Sequence, residues 1–164
     1  MNEGKMQERI VLCRTLDEIQ ALLERFHMVL PSLKRGKAFR AAMAEKFFQH
    51  GKVVFIPEDG RPVGFAAFYC NDHVERKGYL SMIAVYPDMQ GKGCGKELLT
   101  YVEHTAKDCG MRTVWLEVSK ANGSARSFYR KNGYVPVEMR PESMICAKKL
   151  ENASDEWTED THDV

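Results

Sequence analysis

The chain has 164 residues, of which 44% are hydrophobic and 29% charged, and its net charge is +1. That length and balance suit one soluble globular domain, and no apolar run approaches the ~20 residues of a membrane span. Five scattered cysteines without a Cys-x-x-Cys pair, and five scattered histidines, argue against a disulfide framework and a metal site. Residues 1–9 are polar and lack the apolar core of a signal peptide, so the expected location is cytoplasmic.

Residues 10–13 are a short apolar strand candidate. Thr15 and Glu18 make a capping box, opening a helix whose Leu16, Ile19, Leu22, Leu23 and Phe26 share one face. After Pro31 and Gly36 a second helix runs to about Gly51, with Ala38, Phe39, Ala42, Met43 and Phe47 expected inward. Asp59-Gly60 lies between two β-rich runs, residues 52–56 and 63–69, which marks a hairpin. Residues 71–78 read as a polar connection into an apolar run over 79–86, the third of three antiparallel neighbours.

A turn at Pro87-Asp88 leads to Gln90-Gly91-Lys92-Gly93-Cys94-Gly95-Lys96, and Leu98, Leu99, Val102 and Ala106 then mark a helix closed by Gly110. Amides at a helix start carry partial positive charge, and glycines at alternate positions let a ligand approach the backbone. The stretch therefore suits an anion. It is not a P-loop, because Glu97 follows Gly95-Lys96 where Ser or Thr is required. Nor is it a dinucleotide fingerprint, because Lys96 stands where the third glycine belongs. A nucleotide-binding protein is thereby disfavoured.

Residues 113–119 form the next strand, parallel to 79–86 because a helix joins them by a right-handed crossover. Asn122 is an N-cap for a short helix with Ala125, Phe128 and Tyr129, stopped by Asn132-Gly133. Residues 134–138 and 143–149 make a terminal hairpin. Residues 151–164 hold six acids and no Lys or Arg, which leaves +7 on residues 1–150. The acidic tail is expected to be disordered, and the basic body to favour an anionic small ligand. Without a dense basic run, nucleic acid is not an expected partner. The fold class is α/β (α+β), a mixed, largely antiparallel twisted sheet of about seven strands flanked by four helices.

Two motifs carry the chemistry: Gln90, Gly93 and Gly95 as Gln-x-x-Gly-x-Gly, and Leu116-Glu117-Val118 followed by Asn122, Phe128-Tyr129 and Gly133-Tyr134. Together, in this order of strands and helices, they resemble the GNAT acetyltransferase superfamily over roughly residues 9–150. The resemblance implies the GNAT fold and acetyl-CoA as cosubstrate. The loop of Gln90, Gly91, Lys92, Gly93, Cys94, Gly95 and Lys96 would hold the pyrophosphate, and Ile83, Ala84 and Val85 the pantetheine arm. Cys94 would contribute its amide, its thiol being open to alkylation or oxidation. Asn122 would cap its helix, contact the coenzyme, or both. The spacing from Glu117 to Tyr129 is similar to that of members acetylating protein N-terminal amines, where the Glu is base and the Tyr acid.

Those roles fit the reaction. An alkyl ammonium with pKa near ~10 must lose a proton before it attacks, directly to a carboxylate or through water. Glu117, in an apolar strand expected to be covered by helices, would have its pKa raised toward a useful range. The plainer readings are a solvated strand-end carboxylate for Glu117 and a packed ring for Tyr129. Tyr69, Asn71 and Asp72, at the end of the third strand, are candidates for the amine entrance or a simple turn. Residues 37–72 also resemble GNAT proteins of bacterial surface-polysaccharide clusters, which would favour an amino-sugar acceptor. Protein N-termini, amino sugars, amino acids and polyamines all stay open, as do monomer and homodimer. The competing class is an acyl-CoA-binding regulatory module that has lost catalysis.

Overall fold

A computed structural model describes residues 9–151, so all but the first residue of the acidic tail lies outside it. In chain order the elements are β1 (Val11–Leu12), α1 (Leu16–Phe26), a 3₁₀ turn (Pro31–Arg35), α2 (Lys37–His50), β2 (Lys52–Glu58), β3 (Arg61–Asp72) and β4 (Lys77–Val85). There follow α3 (Cys94–Asp108), β5 (Thr113–Ser119), α4 (Gly123–Lys131), β6 (Val135–Met139) and β7 (Ser143–Lys149). The strands form one open sheet in the order β1-β2-β3-β4-β5-β7-β6. Only β4 and β5 run parallel, as the intervening helix requires. No helix among the described residues is long and apolar enough to cross a membrane.

Local chemistry accounts for most boundaries. The Thr15 hydroxyl accepts the Glu18 amide at 3.1 Å and donates to the Glu18 carboxylate, so the capping pair closes at the N-terminus of α1. Asp59 and Gly60 take φ of 52° and 76°, the primed turn that matches strand twist in the β2–β3 hairpin. Residues 71–78 prove tighter than a connection. β3 continues through Asp72, whose Oδ1 accepts the amides of Val74 and Glu75, so only residues 73–76 turn the chain. The inward face of α2 also differs from expectation. Ala38 and Ala42 are exposed, while Ala44 and Phe47 are buried with Phe39 and Met43 beside them. Alanine hardly constrains a helical face, and the bulkier residues at 39, 43 and 47 set the rotation.

Two cores result. The side chains of α3 and α4 pack on one face of the sheet with Leu80, Val114, Leu116 and Val118. On the other face α1 and α2 cover β2, β3 and the second half of β4, through Phe65, Ala67, Met82 and Ala84. No residue of β5, β6 or β7 belongs to that second core, so among the described residues this half of the face has no helical cover.

The parallel pairing is short. It runs from Lys77↔Thr113 to Leu80↔Leu116 and stops. Against β3, Ala67 pairs with Met82 and Phe68 with Leu80, so Ser81 is an extra residue that bends β4. Beyond it, residues 82–85 pair with β3 alone among the described strands, and a V-shaped gap opens toward β5.

One ion pair ties the chain start to this region. Glu97, 5% exposed in the first turn of α3, receives Arg9 Nε at 2.7 Å and Nη2 at 2.8 Å. Arg9→Met would leave that carboxylate buried without a counter-charge. The expected cost is ~2–3 kcal/mol, less than for a fully buried pair because Arg9 is partly exposed. Thermal denaturation should show a Tm lower by several degrees, and an unchanged Tm would mean that the pair contributes nothing.

Candidate active site

The gap between β4 and β5 is a cleft of about 780 Å³, lined along one wall by residues 80–85 and along the other by residues 117–119 and Asn122. Its floor and mouth are the glycine loop and α4, through Gln90, Gly91, Gly93, Gly95, Lys96, Phe128 and Tyr129. The fold thus brings together most residues singled out in the two motifs, although the whole of α3 separates the two strands along the chain.

The loop is built to leave backbone bare. Gly91 and Gly93 have φ of 80° and 87°, and apart from their own chain neighbours no described atom lies within 4 Å of where a Cβ would stand on either. Gly93 is the N-cap of α3, and no side chain among the described residues caps that end, so its first-turn amides are available to an acceptor oxygen. Gly95 serves differently. It lies within the helix, and a Cβ there would meet the Phe128 ring at 3.4 Å, so it lets α4 pack closely. Gln90 Nε2 donates to the Val85 carbonyl at 3.0 Å, bracing the loop against the strand end.

Two loop residues do not line the cleft. Lys92 is exposed, with Nζ 3.9 Å from Met89 Sδ. Cys94 is 2% exposed within the core, and burial pushes its thiol pKa up. The expected openness to alkylation or oxidation does not hold, because the helix turn directs that side chain inward. Asn122 Oδ1 accepts the Ala125 amide at 3.1 Å, so capping is one of its roles while it also lines the cleft.

Glu117 differs from expectation in its surroundings. Val114, Leu116 and Val118 fill the helix-covered face, so Glu117 points to the half without helical cover and is 39% exposed. Its Oε2 accepts Ser143 Oγ at 2.5 Å and Arg140 Nη1 at 3.3 Å. Arg140 Nε also binds Glu138 at 2.7 Å. Sequence reading missed both partners. Glu117 pairs with Ile145 on β7, which makes Ser143 its diagonal neighbour, and only that register reveals the contact.

Tyr129 is 9% exposed, its ring edge-on to Phe128 and Tyr134, and burial lifts its phenol to about 12, with Cys146 adding to the rise. It is both packed and at the cleft wall.

Tyr69, Asn71 and Asp72 lie elsewhere, on an open groove of about 600 Å³ over the half of the sheet without helical cover. Lys46 and His50 of α2 and Lys77, Tyr79 and Trp115 continue its lining, and Glu138 and Arg140 close one end. Ser81 belongs to both cavities. Glu117, on the cleft wall, is bonded to Arg140 on the groove wall, so the carboxylate stands where the two meet.

A model of the acetyltransferase (GNAT) family matches residues 16–134. The ribosomal protein bS18-alanine N-acetyltransferase of Haemophilus influenzae is 39% identical over 83 residues, 51% of this chain and 54% of that protein. The mycothiol acetyltransferase of Thermomonospora curvata is 30% identical over 95 residues, 58% of this chain and 31% of that protein. The chain thus spans about half, or less, of these relatives' length. Among solved structures, the PaiA N-acetyltransferase of Thermoplasma acidophilum in complex with coenzyme A superposes with a TM-score of 0.67. It is 19% identical and covers 85% of this chain and 98% of its own. The ribosomal-protein-S18-alanine N-acetyltransferase of Escherichia coli gives 0.65 at 21% identity, covering 88% and 96%. At these identities the likeness is one of fold.

Proposed function

The chain belongs to the GNAT acetyltransferase family, and from that premise we propose that it moves the acetyl group of acetyl-CoA to a primary amine by direct attack in a ternary complex. One observation carries the reading: a cleft with a bare-backbone loop and an open groove meet at Ser81, with Glu117 at the junction. The cleft suits acetyl-CoA, which supplies an activated thioester. Gly91, Gly93 and the uncapped amides of α3 would bind its pyrophosphate. The unpaired β4 edge at Ile83, Ala84 and Val85 would hydrogen-bond its pantetheine arm.

The chain's own groups assist the proton transfers. Glu117 takes a proton from the incoming ammonium, directly or through one water, and Ser143 and Arg140 hold it in place. Tyr129 donates a hydrogen bond to the departing sulfur. With its phenol at about 12, full transfer to a thiolate near ~8.5 is uphill by about 5 kcal/mol, so the proton moves late or comes from water.

Thiol release from acetyl-CoA with a panel of primary amines tests the assignment. Tight coenzyme binding without turnover on any amine would favour a catalytically degenerate regulatory module instead. For Tyr129→Phe we expect kcat lower by about 10–100-fold. Because the phenol keeps its proton to about 12, the wild-type pH–rate profile should show no limb from Tyr129 below pH ~11. A Tyr129→Phe variant with wild-type kcat would reduce the ring to packing.

A further inference from the structure

We propose that the acceptor is an elongated anionic amine, its negative group bound by Lys46 and Lys77 at the far end of the groove from Glu117. The proposal rests on the acetyl-transfer reading and deepens it. The groove's charges divide into used and unused. Arg140 is neutralised by Glu117 and Glu138, and Asp72 is engaged by the turn amides of Val74 and Glu75. Lys46 and Lys77 have no carboxylate partner among the described residues. Each ammonium stands over an aromatic ring, Lys77 at 4.1 Å from Trp115 and Lys46 at 5.5 Å from Tyr69. The Tyr69 hydroxyl oxygen is buried and without a hydrogen-bond partner among the described residues, a donor of the kind an anion would use. The Trp115 indole is fixed by its own bond to Thr113 Oγ1 at 2.8 Å, so the platform under Lys77 is rigid.

The sheet supplies a ruler. Lys77 pairs with Thr113, and Glu117 lies four residues further along β5, roughly 13 Å at ~3.3 Å per residue. The Lys77 ammonium leans over Trp115, one row nearer, which brings amine and anion to roughly 7–13 Å apart. A free α-amino acid is too short, since its carboxylate lies one carbon from its amine. An extended peptide places the side chain of its third residue at about this distance from its N-terminus, at ~3.5 Å per residue. A nucleoside-diphosphate amino sugar offers the same pairing of amine and anion.

The test compares matched acceptors on the full chain with acetyl-CoA: Ala-Ala-Asp-Ala-amide against Ala-Ala-Asn-Ala-amide, and a nucleoside-diphosphate amino sugar against the free amino sugar. The anionic member of one pair should have kcat/KM higher by about tenfold, and that pair identifies the source of the charge. Lys77→Met and Lys46→Met should each erase most of this ratio. Equal kcat/KM within both pairs would overturn the proposal. Calorimetric binding of the N-acetylated members of both pairs separates failure of acetyl transfer from failure of the anion preference. If no amine turns over but the anionic member of one pair still binds better than its neutral counterpart, acetyl transfer fails and the anion preference survives. If binding is equal within both pairs too, the preference fails as well.

Discussion

Replacing Glu117 by Gln is expected to lower turnover by about 10²–10⁴-fold while leaving coenzyme affinity little changed. The substitution is close to isosteric. A glutamine carbonyl can still accept from Ser143 and Arg140, so the cleft wall should keep its shape and only the proposed base is lost. A loss of that size corresponds to about 3–5 kcal/mol of transition-state stabilisation. The deficit should also depend on pH in one direction. As pH rises toward the ~10 of an alkyl ammonium, more of the amine arrives neutral, and a base is needed less. The ratio of wild-type to Glu117→Gln rates should therefore shrink with rising pH. A variant of unimpaired rate would remove Glu117 from the mechanism, and a pH-independent deficit would point to positioning rather than proton transfer. Coenzyme affinity, measured on the same samples, separates both from damage to the cleft.

The parts of this arrangement differ in how readable they were. The glycine loop was legible because bare backbone in the left-handed region, as at Gly91 and Gly93, is supplied freely only by glycine. The Asp59-Gly60 hairpin and the Thr15 and Asn122 caps were legible for the same reason, since each is a local bond between near neighbours. The surroundings of Glu117 were not. Alternation along β5 puts it opposite Leu116, but which face carries helices is settled by α1 and α2 packing on β2–β4 alone. Arg140 and Ser143 reach Glu117 across 23 and 26 positions through the β5–β7 register. The groove charges were unreadable in the same sense. Lys46, Lys77 and Trp115 sit on three elements, and only the assembled sheet shows which charges lack a carboxylate partner among the described residues.

Gly93→Val should abolish measurable coenzyme A binding, with Kd raised by at least ~100-fold, and the reason lies on both sides of the backbone. Gly93 has φ of 87°, in the left-handed region, where a β-branched residue is strained by ~1–2 kcal/mol or more. Apart from its chain neighbours, no protein atom lies within 4 Å of the new Cβ, so the substitution starts in open space and the fold should survive. The same open space is the approach to the uncapped amides of α3, and two methyl groups there would block an incoming phosphate. Gly93→Ala adds a single carbon at the same φ and should lose less affinity, so the pair separates obstruction from strain. Circular dichroism and Tm establish that each variant is folded, and titration with coenzyme A gives Kd. Retained affinity in a folded Gly93→Val protein would mean that the loop serves chain reversal and that the coenzyme, if bound, lies elsewhere.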